Sequence, residues 1–206
     1  MGDSGSQGPG RQLGRIQAWV EDTERLLQTQ SSIKTFDTKD IASLLQTFHD
    51  AVAADSSLEL VSVTTYATSL LLRVSDNLTG QVAELVKLLQ LLLHTTIAFL
   101  GRGEDGAAQQ SEEAMKLVEQ SGTVAATEVL DGVLGFLLEV VNSDLEFATR
   151  RCWLEGLVTL VRGEVDRGAV EALGEEYRGD LGKLVDFLGT CGDYPCQAAL
   201  LEVLVR

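Results

Sequence analysis

Apolar residues recur at helical spacing along most of this chain, and short polar or Gly-rich breaks separate the runs. The first run covers 14–30, with Ile16, Trp19, Val20, Leu26 and Leu27 as its inner face. After the break "SSIKTF", Asp37 caps a second helix whose Ile41, Leu44, Leu45, Phe48 and Val52 keep the rhythm of one buried stripe. Ser56 with Glu59 forms a capping-box pattern and opens a third helix through about Asp76. Thr79 starts a fourth, nearly all-apolar helix, which ends at the loop "GRGEDGAAQQ". A short helix near 111–120 precedes a longer one from Thr123 to Val141. Ser143 with Glu146 reads as a second capping box and begins a helix through Val161. Two shorter helices, 166–177 and 180–190, lead to a last one in which Pro195 occupies the first turn, where a missing N–H costs nothing.

The pattern predicts about ten helices joined by short turns, too many for a four-helix bundle. An all-α armadillo/HEAT-like right-handed solenoid, with a repeat of about 40–47 residues, fits that count. One internal echo agrees: "LEGLV" at 154–158 returns as "LEVLV" at 201–205, and each follows an Asp-containing turn. Residues 1–13 read as a flexible Gly/Ser leader, and 14–206 as one partial armadillo-repeat-like domain. The closing stretch "CGDYPCQAALLEVLVR" presents Ala198, Leu200, Leu201, Val203 and Leu204 for a further repeat, so the expected array is truncated at one or both ends.

Composition sharpens this picture. The chain is 45% hydrophobic but only 5% aromatic, and its apolar load is carried by Leu, Val and Ala, which suits helix-on-helix packing. A net charge of −15 repels phosphate backbones and argues against direct nucleic-acid binding. The densest basic cluster, Arg150-Arg151 with Arg162 and Arg167, reads as a solvated face or a contact for an acidic protein. Three cysteines, Cys152, Cys191 and Cys196, make no disulfide framework and fit a reducing intracellular compartment. Cys152 packs as a small apolar residue, and Cys191 and Cys196 are close enough in sequence to approach each other. The run Val82–Leu100 has spanning length, but Glu84, Lys87, Gln90 and His94 inside it favour a buried protein helix over a membrane span.

Three strings imitate chemistry. "GDSG" at 2–5 matches a protease nucleophile loop, yet Ser4 lies in the leader and both histidines, His49 and His94, fall in predicted helices. "GRGEDG" at 101–106 follows a helix instead of a strand, and its two acids would repel a pyrophosphate; it reads as a helix C-cap and turn. "NLT" at 77–79 matches a glycosylation acceptor, but Thr79 is more simply a helix cap. Glu112-Glu113 and Glu175-Glu176 are adjacent on their helices and therefore diverge instead of forming an acid/base couple. His49 and His94 read as structural. No catalytic, cofactor-binding or metal-ligating residue is assigned, and no partner-binding position is singled out.

Two stretches carry a family resemblance. "IQAWVEDTERLLQTQ" (Ile16 to Gln30) is similar to a helix of the synaptonemal complex protein 2 family, which includes its synaptonemal complex protein 2-like paralogue. There an Ala-Trp pair and a Glu precede an amphipathic run ending near Gln. "CGDYPCQAALLEVLVR" resembles a later segment of the same family, where Gly-Asp-Tyr, a Gln and an Ala/Val/Leu-rich helix with Glu follow in that order. Pro195 departs from that pattern at a first-turn position that tolerates it. The resemblance implies an armadillo-like N-terminal domain of a nuclear protein of the meiotic chromosome axis, a builder of synaptonemal complex lateral elements. It also implies protein partners, with chromosome-axis or centromere-associated components foremost.

The expected function is therefore a non-catalytic protein-interaction scaffold on meiotic chromosomes, without cofactor, small-molecule substrate, membrane or nucleic-acid contact. The alternative is a generic armadillo/HEAT adaptor in trafficking, cytoskeletal or signalling assemblies. An enzyme or lipid carrier would instead need a deep apolar cavity holding a titratable group.

Overall fold

The computed structural model describes residues 82–103 and 106–205, with isolated helical positions at Gly14, Ala18, Glu21 and Arg25. Those four positions fall inside the first predicted helix and are exposed, away from its expected inner face. The leader at 1–13 and the helices read between residues 31 and 78, with the capping box at Ser56 and the cap at Thr79, lie outside the described residues.

Six helices form among the described residues: α1 (Val82–Arg102), α2 (Ala107–Val141), α3 (Phe147–Arg162), α4 (Arg167–Glu176), α5 (Arg178–Thr190) and α6 (Tyr194–Val205). No strand occurs among them. The about ten helices expected of the chain are thus six here, and where the pattern reads seven over this stretch the difference lies in α2. The segments expected at 111–120 and 123–141 are merged across a kink at Ala125, whose φ of −152° and ψ of 69° interrupt an otherwise continuous helix. Ser121 and Gly122, between the two expected segments, stay helical, and the Ser121 hydroxyl bonds back onto the Leu117 carbonyl at 2.6 Å, a contact that favours bending, one turn before the kink.

The turns follow their residues. Gly103 and Gly106 hold φ of 65° and 85°, and the Gly103 N–H donates to the Leu100 carbonyl, so the expected helix C-cap forms at Gly103; Glu104 and Asp105 of "GRGEDG" lie outside the described residues. The second expected capping box does not form. Glu146 precedes α3 without a side-chain cap bond, while the Ser143 hydroxyl donates to the Val140 carbonyl and accepts from the Leu145 N–H. Ser143 sits too close to the end of α2 and is captured by the orphan carbonyls there. Asp166 caps α4 through the Ala169 N–H, and Asp193 caps α6 through the Cys196 N–H, both at 2.9 Å. Between α4 and α5 the turn shrinks to the single residue Tyr177.

Packing centres on α2, and α3 and α4 do not touch. Among the described residues α1 packs on α2 alone, α2 also receives α3, α4 and α5, and α6 lies on α3 and α5. One continuous core runs through all six helices, with Leu89, Leu92, Leu93, Leu137 and Trp153 fully excluded from solvent. α1 is long and apolar enough to cross a membrane by length and composition, and it lays its leucines against α2. Its outer face carries Lys87 and His94, so His94 is an exposed residue and not a packed structural one. The echoing segments at 154–158 and 201–205 belong to α3 and α6, which lie against each other.

Candidate functional site

A cleft of about 340 Å³ opens where α4 and α6 fail to meet. Its floor is built from pairs one turn apart, Leu130 and Leu134 on α2 and Leu157 and Val161 on α3. α4 contributes Val170, Glu171, Leu173 and Gly174 along one wall, and α6 contributes Val203 and Leu204 along the other. Leu181 of α5 completes the lining. The gap has a local cause. α4 is short and fully buries only Leu173, and Gly174 leaves its edge facing open space. A Cβ added at Gly174 would meet no atom within 4 Å.

Among the described residues of that lining, Glu171 is the one titratable group. It is exposed and accepts a hydrogen bond from the Arg167 Nε at 3.1 Å. With no second polar side chain beside it in the lining, the cleft has no acid/base couple, and its chemistry is apolar contact with a carboxylate at the rim. Among the described residues no group of three or more His, Cys, Asp or Glu side chains converges as metal ligands do.

The arginine cluster is divided among internal tasks. Arg150 donates from Nε to the Val141 carbonyl at 2.8 Å and stacks over Phe187. Arg151 pairs with Glu155 at 2.9 Å and reaches toward Asp193. Arg162 makes two hydrogen bonds to Glu202, at 2.7 and 2.6 Å, the bidentate geometry of a strong guanidinium–carboxylate pair. Arg178 pairs with Glu175 on the other side of Tyr177. The Arg150, Arg162 and Arg178 contacts join helices to one another, Arg151–Glu155 lies within α3, and carboxylates are interspersed among the basic side chains.

The cysteines are free thiols. Burial pushes the Cys152 thiol up to about 11, with Glu112 adding to the effect. Burial also raises the Cys196 thiol, and the neighbouring Cys191 sulfur contributes to that rise, so the two do approach each other at the α5–α6 turn. Burial likewise raises the Tyr177 hydroxyl, with Glu176, Asp131 and Asp180 acting in the same direction.

Nothing in the pattern reading pointed to the cleft, because its lining is drawn from five helices that are distant in sequence. The available signal was Gly174 itself. A glycine inside a helical run marks either a close approach or a gap, and only the packed structure shows which. Compared with family models, with curated proteins and with solved structures, the chain finds no match in any of the three.

Proposed function

We propose that this chain is a non-catalytic protein-interaction scaffold, the armadillo-like segment of a synaptonemal complex protein 2 relative that recruits chromosome-axis or centromere-associated proteins in the nucleus. The observation that carries the reading is the pairing of the two helices with echoing sequence: α3 and α6 lie side by side. Similar helical units packed on one another are the building principle of solenoids, whose surfaces recruit partners. The resemblance of the terminal segment "CGDYPCQAALLEVLVR" motivates the family named in this proposal.

A lipid-carrier or enzymatic reading would use the same cleft. It is disfavoured by the position of Glu171, which is exposed at the rim and bridged to Arg167 instead of held inside an apolar cavity.

The test is a pull-down with the 206-residue chain from meiotic tissue extract. Recovery of chromosome-axis or centromere proteins supports the reading. Recovery of vesicle or cytoskeletal proteins alone would replace it with the generic adaptor.

A further inference from the structure

We propose that the cleft between α4 and α6 docks a basic amphipathic helix of a partner protein and takes two bulky aliphatic side chains from its apolar face. This rests on the scaffold reading and names what the scaffold grips.

Size and shape argue for side chains on a helix. At about 340 Å³ the cleft lies in the range proteins use for compact ligands, and it has room for about two large aliphatic side chains. The floor pairs Leu130–Leu134 and Leu157–Val161 are each spaced by four, which makes two ridges with a furrow between them. Knobs repeating every three or four residues on a docked helix match such a furrow.

Charge chooses the partner. From Glu164 to Arg178 the wall segment exposes five acids, Glu164, Asp166, Glu171, Glu175 and Glu176, against Arg167 and Arg178, which pair with Glu171 and Glu175 and leave the rim net acidic. A carboxylate-headed lipid entering the cleft would meet Glu171. A second copy of this chain would bring −15 against −15. A helix with lysines or arginines flanking its apolar stripe satisfies both the floor and the rim, with the charge steering encounter and orientation.

Gly174 makes the proposal testable without unfolding the protein. Gly174 lines the cleft and an added Cβ meets no atom within 4 Å, so Gly174→Leu places an apolar side chain at the cleft without a Cβ clash, and leucine favours the helix over glycine. The probe is a fluorescein-labelled 14-residue peptide, LKKLLKLLKKLLKL, titrated by fluorescence anisotropy with the full chain, beside the acidic counterpart LEELLELLEELLEL. The basic peptide should saturate and the acidic one should not. Gly174→Leu should weaken the basic peptide by about tenfold or more while the thermal midpoint holds or rises. Glu171→Lys, an exposed change, should weaken it by several fold.

Equal binding of both peptides, no binding of either, or undiminished binding to Gly174→Leu would overturn the proposal. So would a neutral fluorescent lipid, or self-association by light scattering, that Gly174→Leu abolishes in place of peptide binding. If wild type and Gly174→Leu recover the same axis proteins from extract, the cleft is retired and the scaffold reading stands. Peptide binding without recovery of axis proteins separates the two in the other direction.

Discussion

Arg150 holds its guanidinium carbon 3.8 Å above the centre of the Phe187 ring, and so ties α3 to α5. The same side chain donates to the Val141 carbonyl at the end of α2, while Phe147 meets Phe187 edge-on with centroids 6.4 Å apart. Three helices therefore converge on one arginine. Arg150→Ala removes the cation–π contact and leaves a helix-end carbonyl without its donor. The expected loss is about 1–3 kcal/mol, read as a lower urea midpoint with an unchanged slope. Arg150→Lys should recover only part of it, since lysine lacks the planar face that stacks on the ring.

Gly132 lets α1 approach α2. The Gln90 side chain donates to the Gly132 carbonyl at 2.9 Å, and a Cβ added at Gly132 would overlap the Val86 Cγ1 methyl. Valine is stiff at χ1 and cannot swing aside cheaply. Gly132→Ala should destabilise by about 1–3 kcal/mol, and adding Val86→Ala should return part of the loss. Non-additive urea midpoints in that double-mutant cycle are the measurement.

The opposite sign is expected at Gly182. It lies inside α5, is exposed, and has no atom within 4 Å of an added Cβ. Gly182→Ala should stabilise by about 0.5–1 kcal/mol, because alanine loses less backbone freedom on entering a helix. A higher melting temperature without any change in α-helical circular dichroism would confirm it.

The thiols predict an alkaline weakness. Cys152 is raised from 9.0 to about 11 in the folded chain, and Cys196 is raised in the same direction. Below pH 9 both states keep these protons and stability is unaffected. Above it the unfolded chain gives them up first, so stability falls as pH rises from about 9 toward 11 and beyond. Cys152→Ser should flatten part of that slope in urea titrations across this range. With a thiol-reactive disulfide at pH 8, buried Cys196 should label slowest in the native chain, and all three should label alike in urea.

Much of the local structure was legible in the residues. Helical spacing located α1, α3, α4, α5 and α6 to within a few positions. Asp193 with Pro195 marked the start of α6, and the positive-φ glycines of "GRGEDG" marked the turn after α1. These are properties of a few consecutive residues, since a cap or a glycine acts on the backbone beside it. The errors were also local in origin. Ser143 has the right spacing for a capping box, but the free carbonyls of α2 lie closer to its hydroxyl. The Ser-Gly pair in α2 looks like a break, yet the kink falls at Ala125.

Other features were decided only when distant segments met. His94 sits in a leucine-rich run, but which face of α1 is covered depends on where α2 lies, and α2 leaves His94 outside. The arginines stay on a solvated face, but that Arg150 stacks on Phe187 and Arg162 pairs with Glu202 was settled only when α5 and α6 were brought to α3. The cleft belongs wholly to this second kind. Sequence alone determined that this chain builds helices with one apolar face each, because that follows from periodicity along a single element. Tertiary structure alone decided that α4 and α6 stop short of one another over the floor of α2 and α3, because a gap is a relation between elements and no single helix encodes it.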